Sequence, residues 1–349
     1  MKEYLYNLAT GECRGFTASL MKFLMLLASF LYGAIIRSLI LFYKLRAVKL
    51  PCKVISIGNI TLGGTGKTPL VELISRYLKA RGHNVAVLSR GYGRLSQEMG
   101  DEPSMLSKSL GDIPVIVGHD RVKSAQRAVK EYAADTVILD DGMQQWRIKK
   151  DLEIVTISFA QGFGNRHMLP RGILRQPLSS LRQADIFVLT KAGLTTGSLN
   201  SVKDYLHKVN PQAPVIESAH EAVGFYDINE PDRLLNPDFL EGRRAALFSG
   251  IGEPDSFAKL TASLGVNIGL DLRFGDHHNY SEKDLEGVIS RAAQESLSVI
   301  ITTEKDAARL SGEKLKLFTG FNVFVLRVAL KITRNEEQFF VRLLGLYAI

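Results

Sequence analysis

The sequence predicts an α/β fold with a mostly parallel sheet, divided into two units and preceded by an apolar helix. Short β-branched segments alternate with segments of helical periodicity from residue 51 onward, which is typical of strand–helix–strand units. A glycine-rich loop joins the first strand to the first helix of this series, and residues 16–43 ahead of it hold only two charges. A length of 349 residues fits about two domains at ~150 residues each. The predicted boundaries are 1–50, 51–215 and 216–349.

The glycine-rich loop lies in KVISIGNITLGGTGKTP, residues 53–69. It contains four small residues: Gly63, Gly64, Thr65 and Gly66. This loop follows a strand and is followed by Lys67-Thr68 and a helix, an order that indicates a P-loop. In a P-loop, backbone N–H groups and the helix N-terminus bind phosphates. Lys67 is then expected to reach the β- and γ-phosphates of ATP, and Thr68 to offer a hydroxyl to Mg²⁺. Thr61 stands where the strict P-loop pattern has glycine. The alternative to a P-loop is a glycine turn that has only a structural role.

Composition limits the classes of partner. The formal net charge of +8 favours an anionic partner such as a nucleotide or an acidic membrane surface. No dense Lys/Arg run with interleaved aromatic residues occurs, so we do not predict nucleic-acid binding. The two cysteines, Cys13 and Cys52, form no CxxC pair. This excludes a disulfide scaffold and a cysteine zinc site, and it fits a reducing cytosol.

The N-terminal segment predicts a membrane-associated helix. Its uncharged centre, residues 23–36, is shorter than the ~20 residues needed to span a bilayer. Lys22, Arg37 and Lys44 project to one narrow side of a helix, opposite a broad apolar side. Such a helix is expected to lie in the membrane interface, with its cations toward anionic headgroups. A buried core helix and a membrane span are the alternatives.

Acidic and basic residues follow two of the predicted strands. TVILDDG ends an apolar strand in Asp140 and Asp141, where a P-loop protein places its magnesium-holding carboxylate. A plain turn at the strand end is the alternative. Arg90 follows the strand at 85–88 and lies in a glycine-containing loop. Its side chain is expected either to contact phosphates or to be solvated.

The α/β pattern begins again near residue 217 and predicts a second, smaller unit. Its segment FGDHHNYS carries His277, and the residues alone favour an ordinary loop there over a metal site. TEKD at 303–306 has a partial likeness to the base-reading Asn-Lys-x-Asp of GTPases. Its residues are therefore candidates for nucleotide contact: Thr303, Glu304, Lys305 and Asp306.

Eight motifs in order resemble one family, tetraacyldisaccharide 4′-kinase, the lipid A 4′-kinase of Gram-negative bacteria. They are ISIGNITLGGTGKTP, LSRGYG, GDEP, ILDDGMQ, GN…LPRGILR, SGIGEP, GDHH and TTEKDA, between about residues 50 and 310. The resemblance implies ATP- and Mg²⁺-dependent phosphorylation of the 4′-hydroxyl of an acylated glucosamine disaccharide lipid. It also implies a location at the cytoplasmic face of the bacterial inner membrane, and we expect no obligate protein partner.

The resemblance also implies roles for single residues. Asp101 of GDEP matches the family's proposed catalytic base, and His277 matches its partner; on the predicted boundaries the two come from different domains. The P-loop, with Lys67 in a catalytic role, carries the phosphates, and Asp140 and Asp141 with Thr68 hold the metal. Four residues in the shared motifs are candidates for substrate contact: Arg90, Gln144, Asn165 and Arg175.

The chain departs from the family pattern at two sites. Met143-Gln144-Gln145 stands where the family usually has Phe-Gln-His, and Gln176 stands where it usually has glutamate. Two other classes of protein remain as alternatives to the kinase: a membrane-associated P-loop NTPase that hydrolyses nucleotide as a switch, and a binding protein without catalytic activity. Nucleotide turnover that depends on acylated disaccharide favours the kinase.

Overall fold

The computed structural model describes residues 15–90, 101–159, 161–190, 199–276, 278–310 and 312–348. Contacts divide the chain into two units. The P-loop unit comprises residues 15–90, 110–219 and 332–348, and the second unit comprises residues 101–109 and 220–331. This division differs from the predicted one because residues 101–109 group with the second unit. Residue 101 and the residues on either side of position 277 therefore fall in one unit, not in two.

Eleven strands and ten α-helices make up the described part of the chain. The strands are β1 (Lys53–Gly58), β2 (Val85–Ser89), β3 (Val115–Val117), β4 (Thr136–Asp140), β5 (Leu152–Ser158), β6 (Ile186–Thr190), β7 (Val215–Asp227), β8 (Arg244–Ser249), β9 (Asn267–Arg273), β10 (Val299–Thr303) and β11 (Asn322–Arg334). The helices are α1 (Phe16–Leu45), α2 (Lys67–Lys79), α3 (Asp101–Leu110), α4 (Arg121–Tyr132), α5 (Leu199–Val209), α6 (Pro254–Ser263), α7 (Glu282–Gln294), α8 (Glu304–Ala307), α9 (Gly312–Lys316) and α10 (Glu336–Leu344).

The strands of the P-loop unit are parallel, in the order β3-β2-β4-β1-β5-β6-β7. Nearly every residue of β1, β4, β5 and β6 is buried, as expected for a parallel sheet covered on both faces. Parallel strands place their carboxyl ends at one edge, so the loop after β1 and the aspartates that end β4 meet there. The predicted fold class is confirmed.

The second unit has the strand order β11-β10-β8-β9, again parallel. Asp306 is completely buried in it. Its carboxylate accepts hydrogen bonds from the Tyr280 hydroxyl (2.9 Å), Gly250 N (3.1 Å) and the Thr303 hydroxyl (2.6 Å), and it pairs with Arg309 (3.1 Å). These bonds join the ends of β8 and β10 to the segment after β9.

Replacing Asp306 by alanine is expected to destabilise the second unit by about 3–5 kcal/mol, because the buried Arg309 guanidinium loses its carboxylate. Tyr280→Phe removes one hydrogen bond and should cost only about 1 kcal/mol. Far-UV circular dichroism during guanidinium unfolding measures both changes. The single tryptophan, Trp146, lies in the P-loop unit, so its fluorescence reports that unit separately. Equal losses in the two variants would show that Asp306 does not compensate the charge of Arg309.

Two long strands, β7 and β11, begin in one unit and end in the other. β7 passes from the P-loop unit to the second unit between residues 219 and 220, and the strand is continuous through that point. After β11 the chain returns to the P-loop unit. There the Tyr347 hydroxyl contacts that of Thr136 at 2.8 Å, and its ring stacks on His83.

Helix α1 packs on the P-loop unit through a narrow stripe of its surface. The Ser29 hydroxyl contacts the carbonyl of Met168 (2.8 Å) and accepts the N–H of Arg171 (3.0 Å). The Tyr32 hydroxyl donates to the carbonyl of Arg175 at 3.1 Å. Only 17% of its most apolar 18-residue stretch is buried, so the alternative of a core helix is wrong. Its 30 residues and mean hydropathy of 2.0 make it long and apolar enough to cross a membrane.

Candidate active site

The phosphate-binding loop begins where β1 ends and leads directly into α2. Gly66 precedes α2 with φ 72°, a left-handed conformation that glycine adopts without strain. A Cβ at this position would lie 3.1 Å from the Thr190 methyl, so space as well as conformation favours glycine. The first turn of α2 has no acidic residue, and Thr68 lies in that turn. The N-terminal end of α2 is therefore suited to an anion.

Thr65 fixes this loop to the sheet. Its hydroxyl contacts that of Thr156 at 2.8 Å, and its carbonyl accepts a hydrogen bond from Thr190 at 3.1 Å. Thr156 belongs to β5 and Thr190 to β6. The side chain of Thr65 is buried, so this residue offers a ligand its main chain and not its hydroxyl.

The carboxylate of Asp141 is shared by two cations. Arg175 donates to both of its oxygens at 2.8 Å, in the bidentate geometry that guanidinium and carboxylate favour. The Lys67 ammonium lies 3.5 Å from the same carboxylate. Asp141 has φ 54°, a conformation that aspartate tolerates better than most residues. Asp140, just before it, is buried at the end of β4.

These contacts determine the ionisation of Asp141. Burial alone would raise the pKa of its carboxyl, but the hydrogen bonds from Arg175 and the charge of Lys67 outweigh burial and lower the pKa to about 2. A lowered pKa means that the group stabilises the fold above its unfolded pKa of about 3.9, and that this stabilisation is lost as the pH falls through about 2. Asp141 is thus an anion throughout the neutral range.

Asn59, which the sequence analysis did not identify, lies between these groups. Its carbonyl side-chain oxygen accepts from Lys67 at 3.3 Å and from Arg175. Its main-chain oxygen accepts from the Gln144 amide at 2.9 Å. The position of Asn59 directly after β1 was the only sequence signal available. The structure therefore brings together Lys67, Asp141, Gln144 and Arg175, which had been predicted separately for phosphate, metal and substrate.

Other predicted site residues have different surroundings. The side chain of Asn165 accepts the N–H of His167 (3.1 Å) and donates to the carbonyl of Arg171 (2.9 Å), so it holds its own loop. Arg90 is exposed directly after β2. Residues 303–306 belong to the second unit, where the Asp306 carboxylate is buried as described above. The side chain of Asp101, which opens α3, and His277 lie outside the described residues.

The departures from the family pattern lie beside this site. Gln176 is buried, and its amide lies 3.4 Å from the carbonyl of Met143. Lys150 donates to the same carbonyl at 3.2 Å and also pairs with Glu153. Gln176 thus donates a hydrogen bond to the turn that follows Asp141, which an ionised glutamate could not do. The contacts of Gln145 do not explain why it replaces histidine.

The donor set at this edge of the sheet suits magnesium better than a metal held by protein alone. No group of three or more His, Cys, Asp or Glu side chains suited to a metal occurs among the described residues. Mg²⁺ instead takes one or two carboxylates and completes its shell with water and phosphate oxygens. Asp140, Asp141 and the hydroxyl of Thr68 fit that pattern in kind and number.

Comparison with known proteins gives one consistent family. The sequence profile of tetraacyldisaccharide-1-P 4′-kinase, LpxK, matches residues 21–346. The tetraacyldisaccharide 4′-kinase of Halothermothrix orenii is 34% identical, over 95% of this chain and 94% of its own length. That of Syntrophus aciditrophicus is 37% identical, over 81% and 82%.

One solved structure resembles the chain over nearly its whole length. It is LpxK from Aquifex aeolicus in complex with ATP, with a TM-score of 0.72 and 28% sequence identity. The match covers 94% of this chain and all of that one. Sequence and structure therefore agree on the same relatives.

Proposed function

The chain belongs to the tetraacyldisaccharide-1-phosphate 4′-kinase family, and we propose that the cluster around Asp141 is the centre of its phosphoryl transfer. The enzyme phosphorylates the 4′-hydroxyl of a tetraacylated disaccharide 1-phosphate at the expense of ATP, in lipid A biosynthesis. ATP binds at the loop of residues 63–68. The alternative of a nucleotide-hydrolysing switch is not favoured, because the family match extends over both units.

The observation that carries this proposal is that Lys67, at the end of the P-loop, and Arg175 both contact the carboxylate of Asp141. Phosphoryl transfer needs positive charge near the transferring group more than covalent chemistry. The side chains of Lys67 and Arg175 are only 18% and 17% exposed, so their charges are weakly screened by water. Asp141 and Asn59 hold these cations in place.

A magnesium ion is expected to be held by Asp140, Asp141 and the hydroxyl of Thr68. Bound there, it neutralises charge on the ATP phosphates. Asp141 is suited to this role because its pKa of about 2 keeps it ionised. Arg175 and Lys67 in turn orient the carboxylate, since the bidentate pair fixes its plane.

For the sugar substrate we propose the following contacts. Asp101 acts as the base that takes the proton of the 4′-hydroxyl, and His277 orients it. The side-chain oxygen of Gln144 is buried and has no hydrogen-bond partner within the described ranges, so it offers an acceptor to a substrate hydroxyl or a water. Arg90, exposed after β2, remains a candidate for the lipid's phosphate.

Within residues 303–306, the contacts of Thr303 and Asp306 favour a structural role over direct contact with the nucleotide. The carboxylate of Asp306 already has four partners, and the Thr303 hydroxyl donates to it. Glu304 pairs with Arg327 at 3.0 Å. Of this segment, Lys305 is therefore the residue that we propose for direct contact with the nucleotide.

The test of the function uses γ-labelled ATP with the tetraacylated disaccharide 1-phosphate. The expected product is a lipid that carries a second phosphate, and nucleotide turnover should depend on the lipid. Equal ATP hydrolysis with and without lipid, and no labelled lipid, would support the switch instead.

We further infer that α1 attaches the enzyme to the cytoplasmic surface of the inner membrane. The stripe of α1 that packs on the P-loop unit includes the small residues Ser29 and Gly33. The rest of the helix surface exposes large apolar residues, among them Leu24, Leu27 and Leu31. A surface of this extent on one helix is typical of membrane contact. The half-buried Lys22 lies on the docked side of α1, together with Ser29 and Gly33.

Replacing Leu24, Leu27 and Leu31 together by asparagine is expected to weaken binding to anionic vesicles on the order of 10²–10³-fold, from the apolar area lost. The docking residues Ser29 and Tyr32 remain, so the fold should be unaffected. Vesicle sedimentation measures binding, and high salt should weaken it only in part. Leu234→Asn and Val341→Asn, exposed leucine and valine positions elsewhere, are the controls. Unchanged sedimentation of the triple variant would show that α1 is not the anchor.

A further inference from the structure

Asn59 is fully buried between β1 and the phosphate-binding loop, and three site side chains converge on it. Its side-chain oxygen accepts from Lys67 (3.3 Å) and Arg175. Its main-chain oxygen accepts from Gln144 (2.9 Å) and from Arg175 (3.1 Å).

The amide nitrogen of the same side chain fixes the start of the loop. It donates to the carbonyl of Thr61 at 3.0 Å, with the Thr61 hydroxyl at 3.4 Å. Thr61 is the residue that stands in place of the first P-loop glycine. Thr61 also pairs with Leu174, directly before Arg175, and Arg175 N donates to the carbonyl of Ile60 at 2.7 Å. Asn59 therefore lies where the loop and the arginine segment are joined.

We propose that Asn59 is a positioning residue for phosphoryl transfer, which holds Lys67 and Arg175 toward the phosphates through a neutral acceptor. The inference rests on the roles proposed above for Lys67 and Arg175. Two like charges close together repel each other, and an acceptor between them offsets that repulsion. A carboxylate in this place would also neutralise the charge that the phosphates require. An amide oxygen accepts from both cations and leaves their net charge unchanged.

Asp141 cannot fulfil this role alone once the substrate is bound. Its carboxylate is the partner of both cations in this structure, but it is also the group expected to face Mg²⁺. The contacts of Lys67 and Arg175 with Asn59 do not involve this carboxylate, so they would still hold both cations if the carboxylate were to bind Mg²⁺. The amide donor to Thr61 then keeps this acceptor in a fixed orientation, since an amide bonded at both ends cannot rotate freely.

The test compares Asn59→Ala and Asn59→Asp in the full-length enzyme, with kcat, KM for the lipid and Kd for ATP measured separately. Asn59→Ala should lower kcat about 10²-fold, the effect of misplaced catalytic groups, while Kd for ATP changes less than about threefold, within the range of small contact losses. Asn59→Asp has the same shape but adds a negative charge beside the phosphates. It should weaken ATP binding more than Asn59→Ala does, and salt should reduce the difference.

Asn210→Ala is the matched control. Its side-chain amide likewise donates to the main chain, to the carbonyls of Ala184 (2.8 Å) and Arg182 (3.3 Å). These lie just before β6, at the opposite edge of the sheet from the phosphate-binding loop. A comparable loss of thermal stability with unchanged kcat is expected. If Asn59→Ala lowers the thermal midpoint as Asn210→Ala does and leaves kcat near normal, Asn59 is only structural and the proposal is wrong.

Comparing kcat between single and double variants distinguishes a failure of this proposal from a failure of the proposed function on which it rests. Because Asn59 acts through Arg175 as well as through Lys67, Asn59→Ala should lower kcat by a smaller factor in the Arg175→Ala background than in the otherwise unchanged enzyme. Multiplicative losses would overturn the proposal. If Arg175→Ala and Lys67→Ala keep normal kcat, the proposed roles of those cations fail. If both lose activity and neither Asn59 variant does, only the role of Asn59 fails. Asn59→Asp is isosteric and keeps the test decisive if the alanine variant does not fold.

Discussion

Lys67→Ala is expected to lower the rate of lipid phosphorylation by several orders of magnitude while the fold remains intact. The substitution removes a half-buried positive charge that is expected to contact the β- and γ-phosphates, and Arg175 alone does not supply the charge of both side chains. Initial rates with labelled ATP measure the effect. Lys79→Ala is the matched control, since Lys79 ends the same helix and pairs with the exposed Asp112. Near-normal phosphorylation by Lys67→Ala would contradict the P-loop assignment.

Asp101→Ala and His277→Ala are each expected to lower kcat by roughly 10²–10⁴, the range for a positioned base. If the two act together, the double variant should be scarcely worse than either single variant. The Kd for ATP should change little. Asp112→Ala and His83→Ala, a carboxylate and an imidazole in the P-loop unit, serve as controls. Loss of ATP binding in Asp101→Ala would instead make Asp101 a nucleotide or metal residue.

The pH dependence of kcat offers a second measurement on the same pair. A base acts only when deprotonated, so kcat falls as the pH falls through its pKa. Asp141, with a pKa of about 2, remains ionised above pH 5 and contributes no such decrease there. A decrease above pH 5 is therefore assigned to Asp101 with His277, and it should shift in His277→Ala. An unchanged profile in that variant would show that His277 does not tune the base.

Several features of this protein could be predicted from the sequence because they depend on neighbours along the chain. Alternation of apolar runs with helical periodicity predicted the parallel strands and the helices between them. The glycine-rich loop between β1 and α2 was predicted for the same reason. Its chemistry is contained in residues 53–69, where the backbone conformation is set locally.

The tertiary structure alone decided which of these residues meet. Arg175 and Asp141 are 34 residues apart in the chain and Asn59 is 116 from Arg175, and no periodicity relates such distances. The division into units depends on the same kind of contact, which groups residues 101–109 with the second unit. The sequence also predicted an apolar helix at 16–43, but its hydrogen bonds with residues 168–175 determine which side faces the protein. Local sequence thus determined the elements and the phosphate-binding loop, whereas pairing between distant segments, which depends on how their side chains pack, determined the arrangement of charges around it.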